Sequence, residues 1–98
     1  MCGIVGQLNF NKGKINIEKF KQLTKVISHR GPDDIGVYTE ENVALGNVRL
    51  SIFDLSTNGH MPMISKNGRY VISYNGEIYN WKEIRKKLKF RTWKSNSD

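Results

Sequence analysis

The sequence is poor in sulfur and in other soft metal ligands. A lone cysteine, Cys2, cannot close an internal disulfide, which excludes the disulfide-stapled secreted class and fits a reducing compartment. Beside it stand only His29 and His60, so no zinc-finger or zinc-ribbon spacing exists and no metal is expected. No apolar run is long enough to cross a bilayer. The opening MCGIVGQLNF also carries no positive charge ahead of its apolar residues, so neither a signal peptide nor a membrane span is expected, and the reading is cytoplasmic with no membrane partner. Internal repeats, low-complexity tracts and linkers are missing as well.

What remains is one small domain. Of its 98 residues 38% are hydrophobic and 10% aromatic, enough for a packed core. The net charge of +7 first suggests nucleic acid, but it is concentrated. Seven of the 16 basic residues fall in positions 82–98 against only Glu83 and Asp98, whereas positions 1–81 are nearly balanced. Such a distribution describes one solvated helix face better than a nucleic-acid footprint.

Hydrophobic patterning predicts a strand over residues 3–10 and a turn at Asn11, Lys12 and Gly13. Asn16 is the expected N-cap of a helix to about Ser28, with Ile17, Phe20, Leu23 and Ile27 on its apolar side. Pro32 ends helical continuation and opens a loop around His29–Asp34. Residues 36–39 and 43–50 read as a hairpin around Glu40-Glu41-Asn42, followed by an irregular segment from Asp54 to Met63. Asn67-Gly68 is a turn leading into a strand over Arg69–Tyr74. Asn80 and Glu83 resemble a capping box opening a second helix, and Phe90–Lys94 reads as the start of another strand. The order implies an α+β domain with a mainly antiparallel sheet. Because a strand is expected to begin just before Asp98, the chain reads as a truncated piece.

Cys2 is the first candidate for chemistry. Removal of Met1 would leave a thiol and a free α-amine on one residue, a nucleophile with its own base, and Gly3 keeps the approach open. Position alone equally allows an inert buried cysteine. Arg49, at the end of a predicted strand, presents a planar fork suited to a carboxylate. Asn75-Gly76, where another strand ends, offers a side-chain amide and a backbone N–H that can face one oxygen, though Asn-Gly is commonly just a turn. His29 and His60 read as structural or solvent-exposed, and Asp33 and Asp34 as closing a turn after Gly-Pro.

Four motifs occur in an order that resembles class II glutamine amidotransferases. They are Met1-Cys2-Gly3-Ile4-Val5-Gly6, His29-Arg30-Gly31-Pro32-Asp33, Gly46-Asn47-Val48-Arg49-Leu50-Ser51-Ile52 and Tyr74-Asn75-Gly76-Glu77-Ile78-Tyr79-Asn80. The likeness spans essentially the whole chain and is greatest to the glutaminase domain of glutamine-hydrolysing asparagine synthetases. It implies part of a four-layer αββα Ntn-hydrolase sandwich, with residues 1–98 forming the N-terminal portion of the amidotransferase domain. By the same resemblance Cys2 is the nucleophile and Asn75 and Gly76 form the oxyanion hole. Arg49, Leu50, Ser51 and Ile52 line the glutamine site, and Glu77 and Asp98 bind the substrate α-ammonium. Glutamine hydrolysis would need no cofactor. ATP and magnesium are implied only for a synthetase domain that is absent here, which would use the released ammonia to amidate aspartate. A homodimer of the full-length enzyme is compatible with the resemblance.

Two positions depart from the usual pattern, Asn47 where histidine is common and Met61 where glutamine often precedes Pro62. The alternatives carried alongside are a non-catalytic truncated remnant or interaction module, and a small basic nucleic-acid-binding protein using residues 82–94 with Trp81, Phe90 and Trp93. Alone, the 98 residues are expected to be poorly active.

Overall fold

The computed structural model describes residues 2–52, 56–88 and 93. Strand β1 (Gly3–Leu8) leads through a turn into helix α1 (Ile17–Val26). A short 3-10 turn at Ser28–Arg30 then precedes strands β2 (Asp34–Glu40) and β3 (Val43–Arg49). The three strands form one antiparallel sheet in the order β1-β3-β2, with Gly3 opposite Val48 and Asp34 opposite Arg49. A second 3-10 turn (Thr57–Gly59) is followed by a two-stranded ribbon of β4 (Met63–Ile64) and β5 (Val71–Ile72), and helix α2 (Trp81–Lys87) comes after it. This is the α+β architecture expected.

Helix α1 begins as its sequence predicts, with the Asn16 side chain accepting from the Lys19 backbone N–H at 3.0 Å. Its buried face differs from the predicted one. Phe20 and Thr24 are fully buried, whereas Ile17 and Leu23 are about half exposed. The helix settles where the sheet has no side chain: a β-carbon on Gly46 would meet Thr24 Oγ1 at 2.5 Å, and the Thr24 hydroxyl is satisfied by the Phe20 carbonyl at 3.0 Å. Close approach therefore selects a small residue at position 24 over the larger Leu23. Phe20 packs with Ile15 and Ala44, backed by Val5 and Val37.

Paired strand residues share a face, and facing alternates along each strand. Ala44, Gly46 and Val48 therefore face α1, while Ile4, Gly36 and Asn47 face the other way. On that second face Ile4 and Leu8 stay more than half exposed, and the chain crosses the sheet at Gly36, where a β-carbon would be driven into the Met61 carbonyl. Gly36→Ala is therefore expected to cost about 1–3 kcal/mol, the range for overpacking a fitted contact, and to lower the melting temperature in a thermal scan.

Two sequence expectations are corrected. The strand expected over Arg69–Tyr74 is reduced to Val71–Ile72, and it pairs with Met63–Ile64, where Met63 begins a strand instead of ending the irregular segment. Helix α2 starts after Asn80 as expected, but no side-chain cap forms: Asn80 sits at φ −102°, ψ 25°, away from the extended conformation that a capping side chain uses. The predicted strand over Phe90–Lys94 lies almost wholly outside the described residues. Away from the candidate site, the Tyr38 hydroxyl donates to Glu40 Oε2 at 2.6 Å, and this hydrogen bond raises the phenol above its ordinary value of 10.0.

Candidate active site

Antiparallel pairing brings the start of β1, the end of β3 and the start of β2 to the same end of the sheet. Continuing the β1–β3 register by one residue places Cys2 beside Arg49, and Arg49 is itself opposite Asp34. The Leu50 backbone N–H points at Cys2 Sγ at 3.3 Å, and the thiol lies 3.7 Å from the Leu50 carbonyl. Cys2 is half-buried.

Two further segments converge on the same residue. Arg30, from the 3-10 turn, donates through Nε to the Cys2 carbonyl at 3.2 Å, and Asn75 donates through Nδ2 to that same oxygen at 3.0 Å. The Asn75 contact joins residues 73 positions apart in the chain. Of the His29–Asp33 motif, Arg30 makes this contact while His29 is exposed.

A cleft of about 470 Å³ is lined by Asp33, Asp34, Arg49, Ser51, Ser56 and Thr57, with neither Cys2 nor Asn75 in its lining. Arg49 Nη1 donates to the Ser56 carbonyl at 2.7 Å. Its guanidinium lies flat against Gly59, where any β-carbon would collide with it. Asp33 Oδ2 accepts from the Ser51 backbone N–H at 2.8 Å, closing the loop as its position after Gly-Pro suggested. Asp34 Oδ2 pairs with His60 Nδ1 at 2.5 Å. The cleft thus offers a cation and carboxylates across a few residues, the complement of a zwitterion.

The structure gathers Cys2, Leu50, Arg49, Ser51 and Asn75 at this end of the sheet. Gly76 follows Asn75 directly on an exposed turn, packed beside the Tyr74 ring. Ile52 is 65% exposed and Glu77 is also exposed, and neither lines the cleft. Asp98 lies outside the described residues. Among the described residues there is no group of three or more His, Cys, Asp or Glu able to hold a metal ion, and no helix is long and apolar enough to cross a membrane. Sequence reasoning did not single out Ser56, Thr57 or Gly59, whose signal is only the small polar composition of a Ser-Thr-Asn-Gly turn. It also noted Asn47 solely as a departure.

The chain is similar to known proteins over most of its length. The glutamine amidotransferase domain family matches residues 1–98. The asparagine synthetase [glutamine-hydrolyzing] 1 of Bacillus subtilis is 41% identical over 103 residues, covering 100% of this chain and 16% of its own length. A putative asparagine synthetase [glutamine-hydrolyzing] 2 of Methanocaldococcus jannaschii is 39% identical over 110 residues, covering 94% of this chain and 21% of its own length. Asparagine synthetase B of Escherichia coli is 35% identical over 86 residues, or 87% of this chain and 15% of its own length. The chain therefore spans about a fifth or less of these relatives.

Proposed function

The chain belongs to the glutamine amidotransferase domain family, and from that membership we propose that it is the glutaminase part of an asparagine synthetase-like enzyme, releasing ammonia from glutamine. The observation that carries this reading is the convergence of Leu50, Arg30 and Asn75 on Cys2. The Leu50 N–H reaches the sulfur itself, while Arg30 and Asn75 hold the Cys2 backbone carbonyl and so fix where the thiol is presented.

In the proposed reaction Met1 is removed, so that Cys2 bears a free α-amine. That amine takes the thiol proton, and the thiolate attacks the glutamine side-chain carbonyl carbon, forming a C–S bond as the C=O electron pair moves onto oxygen. The Asn75 amide and Gly76 N–H stabilise that oxyanion. Collapse of the adduct expels ammonia, which takes its proton from the α-ammonium. Water then adds to the γ-glutamyl thioester, releasing glutamate and restoring the thiol. Arg49 holds the substrate carboxylate, with Ser51 on the same cleft wall, while the roles of Leu50 and Ile52 in lining the site and of Glu77 and Asp98 in taking the α-ammonium rest on the family resemblance alone. The hydrolysis itself calls on no cofactor. ATP and magnesium belong to a separate synthetase domain that would accept the ammonia for amidation of aspartate.

The direct test is labelling of the full chain by a glutamine-mimicking electrophile: adduct mass on Cys2, blocked by excess glutamine, supports the reading, and an unmodified Cys2 overturns it. Arg49→Ala is expected to raise the KM for glutamine about 10- to 100-fold, the value of a charge-assisted hydrogen-bond pair, with a smaller effect on kcat. An unchanged KM in steady-state assays would place the carboxylate elsewhere.

A further inference from the structure

Asn47 sits in the middle of β3 on the face turned away from α1, at only 2% exposure. A buried carboxamide is costly unless its polar atoms are paired, and this one is used across the fold. Its Nδ2 donates to Ser73 Oγ at 3.2 Å and to the Tyr74 carbonyl at 3.3 Å, while the Ser73 hydroxyl donates to the Gly46 carbonyl at 3.0 Å. Strand β5 ends at Ile72, so these bonds take hold of the chain where its ribbon pairing stops. The next residue is Asn75, whose amide reaches Cys2.

We infer that Asn47 is a positioning residue for the Asn75-Gly76 pair, an inference that rests on the glutaminase reading above for its kinetic consequence but not for its geometry. The physical link is the rigidity of one peptide unit. The plane that contains the Tyr74 carbonyl oxygen also contains the Asn75 nitrogen and Cα. Anchoring that oxygen to β3 therefore fixes where the Asn75 side chain begins, and the Gly76 N–H follows from that point through the two Asn75 backbone dihedrals. Cys2 enters from β1, the strand bonded to β3 at Asn47 through Ile4. One strand thereby sets both the nucleophile and the groups facing it. Donors that act on a developing charge must be placed to within a fraction of an ångström, so losing the anchor should reduce turnover more than substrate binding.

The test uses the full chain with Asn47→Leu, close in volume but without a donor, and Asn47→Thr, a strand-favouring residue whose hydroxyl is too short to reach Tyr74. Either variant is expected to lower kcat for glutamine at least about tenfold while KM stays within about threefold. Alkylation of Cys2 by iodoacetamide, which needs no oxyanion donors, should keep its rate. The Asn75 side-chain amide resonances should shift in 15N-correlated spectra. If the folded variants keep kcat within twofold, or if the Asn75 resonances stay in place, the inference is overturned. If the parent chain shows no glutaminase activity, the functional reading fails, and the Asn75 resonances alone decide the role of Asn47.

Discussion

Cys2→Ala is expected to reduce glutamine-dependent ammonia release by the full chain about 10⁴- to 10⁶-fold, the scale on which enzymes lose turnover when their nucleophile is removed. The size of the effect follows from the chemistry: without the sulfur there is no covalent intermediate, and water would have to attack an unactivated amide. The substitution should leave the fold intact, since Cys2 is only half-buried and its backbone carbonyl still receives Arg30 and Asn75. Ammonia assays beside a thermal melt check both halves. Residual turnover above about a hundredth of the parent's, far outside that range, would remove Cys2 from the reaction.

The second large effect is expected at Asn75. Asn75→Ala should lower kcat about 10²- to 10³-fold, the measured worth of a single oxyanion-hole donor in a water-excluded site, with KM for glutamine changing much less. In the structure the Asn75 amide hydrogen-bonds the Cys2 carbonyl. To serve an oxyanion it must swing toward the space beside Sγ, or share itself between the two oxygens, once substrate enters. Steady-state kinetics separate the outcomes: a rise in KM at constant kcat would make Asn75 a ground-state contact, contrary to the assignment.

Much of this arrangement was legible in the sequence because its signals are local. The alternation around Glu40-Glu41-Asn42 gave the β2–β3 hairpin, and Asn16 gave the start of α1. The ordered motifs brought Cys2, Arg49 and Asn75 forward as a set before any geometry was available. What was not legible depends on packing between distant segments. Thr24 replaces Leu23 in the core because Gly46 leaves a hollow opposite it, which helical periodicity alone does not reveal. Strand β4 has two residues and carries no alternation to read, and β5 keeps only two of the six residues read as a strand. The Asp34–His60 pair spans 26 residues, and Asn47 gains its meaning only from Ser73 and Tyr74.

The register of β1 on β3 has a consequence for how this region tolerates changes in chain length. Side chains on a strand alternate between faces, so the thiol shares the sheet face of Arg49 only while an odd–even match with β3 is kept. A one-residue shift would turn the sulfur toward the helix layer and carry the apolar core positions outward with it, whereas a two-residue shift would preserve its facing and only change its reach. Parity in the first few residues is therefore a tighter constraint on this domain than the identity of most side chains within them.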